Sequence, residues 1–105
     1  MGASVTVHIA IGNSDNRLTQ QQWGAYWSEV DRLVQSVSPH IHGAWLSASV
    51  SPYQNACWGF EVFDEGYWGR PTVQAVLREI AGRYGQDSVA WNESETVFLP
   101  SIPET

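Results

Sequence analysis

The sequence contains no lysine, so all five of its basic residues are arginines, and they are dispersed along the chain. Eleven acidic residues bring the formal net charge to −6 at pH 7. Nucleic acids and anionic membrane surfaces are bound through clusters of basic residues, and an acidic chain without such a cluster is repelled by both. The charge pattern therefore predicts neither a nucleic-acid partner nor a membrane partner.

Cysteine is represented by Cys57 alone, so the sequence cannot form an internal disulfide framework. Apolar runs long enough to cross a bilayer are missing, and the N-terminus lacks the basic and then apolar pattern of a secretory signal. These absences lead us to expect a soluble, cytoplasmic protein.

Hydrophobic residues, by contrast, are plentiful at 43%, and charged residues amount to only 15%. That balance supplies enough apolar surface to offset the loss of chain entropy on folding. A chain of 105 residues has the size of one domain. We expect a single domain over 1–105, with its core in 4–99 and a loose tail at 100–105.

The first half of the sequence predicts a strand, a helix and a second strand. Residues 4–11 alternate between apolar and polar side chains, as in a half-buried strand. Thr19 and Gln22 have the spacing of a capping box, and an apolar stripe at helical spacing follows until Ser38, which precedes a proline. Residues 40–48 alternate again and predict the second strand.

The second half predicts another strand, helix and strand, followed by one additional short strand. Residues 56–63 predict a third strand, and Pro71 and Gly85 are typical of the first turn and the stop of a second helix. Strands are then expected at 88–92 and, after a turn at 93–95, at 96–99. The order predicts an α+β, ferredoxin-like βαββαβ fold with an extra short C-terminal strand. Two helices would pack on one face of an antiparallel sheet, with the first and third strands at its centre.

The face of this sheet without helices could collect chemically active side chains. The strand parities direct His8, Cys57 and Glu61 to it, and we expect His40 and His42 to join them. Such a set could hold a metal, or His8 oriented by Glu61 could act as a general base. The spacing matches no compact metal or catalytic motif, and an open sheet face on a small domain is typical of a dimer interface. The sequence thus favours a homodimer, with no metal, no cofactor and no catalytic residues.

Aromatic residues in the loops suggest a different kind of site. Tyr53, Tyr67 and Trp68 lie in segments rich in glycine, proline and asparagine, where rings cannot all belong to a core. Together with Asp64 and Glu65 they have the composition of a binding hot spot with a charged rim. The alternative is that Trp68 folds back and closes one end of the core.

Four stretches carry a resemblance to a known group of proteins. They are VHIAIGNSD at 7–15 leading into LTQQQW at 18–23, SPYQNACW at 51–58, and RYGQDSVAW at 83–91. Over most of its length the chain resembles small accessory proteins encoded by phages of actinobacteria. The group offers no catalytic residues to carry over. The resemblance implies a protein that acts inside a bacterial host cell, in the interplay between phage and host.

Three functions are compatible with these observations. The preferred one is a non-enzymatic accessory protein that binds a host or phage protein, with inhibition of that partner as one outcome. The second is a dimer that binds a small ligand or a nucleotide signal. The third is a small dimeric enzyme, similar to an isomerase or an oxygenase, that uses His8 and Glu61 on the open face. A pull-down separates the first function from the other two.

Overall fold

The architecture is that of a computed structural model, which describes residues 4–13, 17–47, 54–94 and 99–103. The described elements follow the expected order of strand, helix, two strands, helix and strand. They are β1 (Ser4–Gly12), α1 (Gln20–Val37), β2 (Ile41–Leu46), β3 (Asn55–Phe63), α2 (Arg70–Arg83) and β4 (Ala90–Ser94).

The sheet has the strand order β2-β3-β1-β4, and every neighbouring pair is antiparallel. The first and third strands therefore lie at the centre, as predicted. Both helices contribute to one buried core that also contains the inward-facing residues of β1 and β3, so the opposite face of the sheet carries no helix. This is the ferredoxin-like α+β fold that the element order predicts.

Helix α1 begins with the predicted capping box. The Gln22 backbone N–H donates to Thr19 Oγ1 at 3.1 Å, and the Thr19 backbone N–H donates to Gln22 Oε1 at 2.8 Å. These two bonds satisfy donors that the first helical turn would otherwise leave unpaired. The helix ends at the predicted position, because Ser38 is extended ahead of Pro39 and its N–H donates to the Val34 carbonyl. Among the described residues, no helix combines the length and apolarity needed to cross a bilayer.

Helix α2 also starts and stops where its sequence predicts. Pro71 lies in the first turn. After the helix ends, Gly85 takes a φ of +66°, and the Gln86 N–H donates to the Ala81 carbonyl at 2.9 Å. This is a Schellman termination, which requires the left-handed conformation that glycine adopts at little cost.

Two features of the sheet differ from the sequence prediction, and a third predicted feature lies mostly outside the described residues. Strand β4 covers Ala90–Ser94 instead of 88–92, because Glu93 and Ser94 continue the ladder opposite Val7 and Thr6 rather than forming a turn. In β2 the register shifts between Ile41 and Gly43. The predicted fifth strand at 96–99 lies mostly outside the described residues, and Leu99, which is described, is not in a strand.

The β2 irregularity changes which side chains share a face. Strict alternation along β2 would place Ile41, Gly43 and Trp45 on the same face of the sheet. A bulge inserts an extra residue and reverses the parity after it. Ile41 consequently packs against the core, whereas Gly43 and Trp45 pair with Gly59 and Cys57 on the open face.

A buried polar clasp ties the start of α1 to the start of β3. Asn13 is 1% exposed, and its side chain donates to the Leu18 carbonyl and accepts from the Leu18 N–H. Its amide also donates to Gln54 Oε1 at 3.1 Å, and Gln54 exchanges two hydrogen bonds with Gln20. Because each buried amide has partners, these hydrogen bonds fix Leu18 and the start of α1 relative to the start of β3.

Candidate functional site

The turn that joins β3 to α2 is shaped by two glycines. Gly66 has a φ of +105°, a conformation that side chains disfavour. A Cβ atom on Gly69 would lie 2.7 Å from the backbone of Glu65, so the chain can pass there only without a side chain. The Gly69 N–H closes the turn on the Gly66 carbonyl at 3.0 Å. The residues between the two glycines are therefore presented on a tightly constrained turn.

Those residues are Tyr67 and Trp68, and both rings are exposed. Tyr67 is 83% exposed and Trp68 is 39% exposed. Their rings meet edge to face, with centroids 5.2 Å apart and an interplanar angle of 88°. This is a favourable aromatic geometry, so each ring limits the conformational freedom of the other. Trp68 is thus not folded back into the core.

Asp64 and Glu65, the charged residues next to this aromatic pair, differ in their hydrogen bonding. Asp64 accepts a hydrogen bond from Arg70, which also donates to Glu93 Oε2 at 2.6 Å. Asp64 is therefore part of an ion-pair chain that links the turn to β4. Glu65 is exposed and has no hydrogen-bond or ion-pair partner among the described residues. Tyr53, the third aromatic candidate, lies outside the described residues.

The open sheet face brings together several of the other candidates. Gly43 and Gly59 are paired across β2 and β3, so this part of the sheet carries no side chain of its own. A Cβ atom on Gly59 would lie 3.0 Å from His8 Nε2, and one on Gly43 would lie 3.1 Å from Trp45 Cζ2. The imidazole of His8 and the indole of Trp45 therefore lie close to the two glycines, and Trp45 is 56% exposed.

Glu61 is the most heavily bonded side chain of this face. Its carboxylate accepts from Thr6 Oγ1 at 2.6 Å and from Ser4 Oγ at 3.2 Å, and it contacts His42 Nε2 at 2.7 Å. The hydrogen bond from Thr6, followed by those from His42 and Ser4, holds the pKa of Glu61 below its ordinary value even though burial acts in the opposite direction. The structure joins Glu61 to His42, and it shows no hydrogen bond between Glu61 and His8.

This arrangement does not resemble an acid–base centre. A carboxylate with a lowered pKa and three donors is a weak base at neutral pH. Burial raises the pKa of the Cys57 thiol, which keeps it in the unreactive protonated form. In the part of the chain that the structure describes, no three histidine, cysteine or acidic side chains are grouped closely enough to hold a metal.

Comparisons with known proteins add little to this geometry. No family model matches the chain, and no curated protein matches it. Among solved structures, the chain is similar to a protein described as a putative monooxygenase from Shewanella loihica PV-4. The identity is 13% and the TM-score is 0.37, with 96% of this chain and 99% of the other covered. At that level of similarity, no activity transfers to this chain.

Sequence reasoning missed one further feature, a groove between α2 and β4. It has a volume of about 430 Å³ and includes Arg78 and Trp91 in its lining. Arg78 and Trp91 occupy ordinary positions in the patterns of a helix and a strand, so the sequence gives no sign of the groove.

Proposed function

We propose that this chain acts by binding another protein, with Tyr67 and Trp68 as its anchor residues, and that it is not an enzyme. The observation that carries the proposal is the pair of exposed rings on a turn constrained by two glycines. Tyrosine and tryptophan dominate binding hot spots because they bury a large area while few side-chain torsions become fixed. A rigid turn lowers the entropy that is lost on binding still further.

The charges around the anchor indicate the chemistry of the partner. Glu65 is an exposed carboxylate beside the rings, and the whole chain carries a net charge of −6. A partner surface with an apolar pocket and a basic rim would complement both features. The resemblance to phage accessory proteins supports a partner from the bacterial host or the phage, with the complex formed in the cytoplasm. Inhibition of that partner is the expected effect.

A capture experiment tests the anchor residues. Tagged wild-type protein is used to capture its partner from an actinobacterial lysate, and the affinity for the identified partner is then measured. Removing a buried anchor typically costs about 2 kcal/mol or more, so Trp68→Ala should weaken binding roughly thirtyfold or more. Glu65→Gln should change mainly the association rate and its salt dependence.

Trp45→Ala is the comparison variant, because it removes an exposed tryptophan from the open sheet face, the proposed dimer surface, instead of from the turn. Circular dichroism must show that each variant keeps its fold. If Trp45→Ala, His8→Ala or Glu61→Gln abolishes function while Trp68→Ala leaves it unchanged, the open face is the functional surface and the proposal is wrong. Unfolding of Trp68→Ala would likewise remove the support for an exposed anchor.

We also propose that the open face joins two copies of the chain. It carries the exposed rings of Trp45 and, at the end of β3, Phe63, which is 38% exposed. The Glu61 carboxylate on this face accepts hydrogen bonds from Thr6 and Ser4 and contacts His42. A sheet face of this composition can therefore be buried against a copy of itself while its carboxylate keeps hydrogen-bond partners.

A further inference from the structure

The groove between α2 and β4 has the size and the walls of a small-molecule site. Its volume of about 430 Å³ falls within the range of about 300–1,000 Å³ that is typical of such sites. One wall is formed by Pro71, Gln74, Ala75 and Arg78 of α2, and the other by Val89 and Trp91. The walls are therefore largely apolar, with one amide and one guanidinium.

Trp91 is held in position by a chain of hydrogen bonds. Its indole N–H donates to Glu93 Oε1 at 3.0 Å, and Glu93 Oε2 accepts from Arg70 at 2.6 Å. Arg70 in turn is bound by Asp64. Because the N–H edge of the ring is fixed and the ring also packs against the core, Trp91 offers the groove a preorganised flat surface. Flat apolar walls favour a planar aromatic ligand.

Arg78 distinguishes this groove from an ordinary apolar cleft. Arg70 and Arg83 are both engaged in ion pairs with carboxylates. Arg78 lines the groove and is exposed, and its guanidinium has no ion-pair partner among the described residues. In a chain with a net charge of −6, an uncompensated cation beside an apolar cleft is complementary to an anionic group on the ligand. A guanidinium matches a carboxylate in shape, because both are planar and can form two parallel hydrogen bonds.

We propose that the groove between α2 and β4 binds a small aromatic carboxylate, with the ring against Trp91 and the carboxylate at Arg78. This site is separate from the Tyr67–Trp68 turn, and its occupation does not depend on the proposed protein-binding function. Gln74 provides an additional donor near the same wall. The groove favours aromatic carboxylates over other ligands, because it combines the ring of Trp91 with the guanidinium of Arg78, which has no ion-pair partner among the described residues.

The test uses 1-naphthoate as the probe and 1-naphthamide as its uncharged isostere. Each compound is titrated into the isotope-labelled full chain, and the Trp91 indole N–H resonance, identified by its absence in Trp91→Phe, is followed by NMR. Given the size of this ligand, we expect the groove to bind 1-naphthoate with a dissociation constant of about 1 mM or lower. The amide should bind at least tenfold more weakly, because it lacks the charge that Arg78 recognises.

Two variants with the same change in charge isolate the role of Arg78. Arg78→Gln should weaken 1-naphthoate binding at least tenfold. Arg32→Gln removes an exposed arginine from α1, away from the groove, and should bind the probe as the wild type does. Both arginines are exposed, so neither substitution should affect folding.

Several outcomes would overturn the proposal. Equal binding of the acid and the amide, or equal binding by Arg78→Gln and the wild type, would mean that the groove merely adsorbs apolar rings. A Trp91 resonance that does not respond to 1-naphthoate at ten times the expected dissociation constant would show that the groove is not a ligand site. A resonance that shifts with protein concentration and not with the probe would show that a second copy of the chain occupies the groove.

Discussion

At the scale of single residues, Tyr26 is a core side chain whose polar group is buried without a hydrogen-bond partner among the described residues. It lies on α1, is 1% exposed and stacks on Tyr84 with ring centroids 5.0 Å apart. Its hydroxyl has no hydrogen-bond partner among the described residues. Burial raises the pKa of this hydroxyl to about 12. A buried hydroxyl without a partner loses its hydration and gains nothing in return.

We therefore expect Tyr26→Phe to stabilise the protein by about 1 kcal/mol at pH 7, measured from the urea midpoint. The substitution should also change the response to alkali. Because the folded-state pKa is higher than the ordinary value of 10.0, the unfolded chain releases this proton first, and stability falls as the pH rises from about 10 to about 12. The phenylalanine variant should lose that part of the decline.

Tyr84→Phe is the matched control for this prediction. The Tyr84 hydroxyl donates to Glu29, so its removal should destabilise the protein instead. If Tyr26→Phe lowers the stability by as much as Tyr84→Phe does, the Tyr26 hydroxyl takes part in a hydrogen bond that stabilises the fold.

At the scale of elements, the capping box is the clearest local signal that the sequence carries. We expect Thr19→Ala to lower the free energy of unfolding by about 1 kcal/mol, because it leaves an N–H of the first turn without its acceptor. Gln21→Ala, an exposed position in the same turn, should have little effect. A chemical denaturation midpoint of Thr19→Ala equal to that of the wild type would contradict the contribution of the cap.

The success of sequence reasoning depended on how local each feature is. Thr19, Ser38 and Gly85 set the helix boundaries through their own backbone preferences, so they were predictable. The bulge after Ile41 and the extension of β4 through Ser94 depend on which strand lies alongside, and alternation within one strand cannot reveal them. The same limit applies to the candidate site. The sequence singled out Tyr67 and Trp68, but it could not show that Glu61 pairs with His42 or that a groove lies between α2 and β4.

At the scale of the whole molecule, the proposed homodimer through the open sheet face makes a testable prediction about assembly. We expect the wild type to sediment as a homodimer at tens of micromolar, an estimate suited to a stable interface. Ala10→Arg would insert an unpaired charge into the centre of that face, which costs several kcal/mol, and should therefore yield monomers. Ala25→Arg, on the exposed side of α1, should remain dimeric. A wild type that is monomeric at this concentration would contradict the dimer.

The position of β4 has a consequence for the way the fold opens. This strand pairs with β1 alone, and the groove separates part of it from α2, whereas β3 pairs along the full length of β1. Local opening events begin where the fewest contacts must be broken, so the amide hydrogens between β1 and β4 should exchange with solvent before those between β1 and β3. Each such opening would uncover the edge of β1, which is a template for any free strand. In a concentrated solution, the strand best matched to this edge is β4 of another molecule. Two chains would then exchange their β4 strands by domain swapping, while the rest of each sheet stays intact.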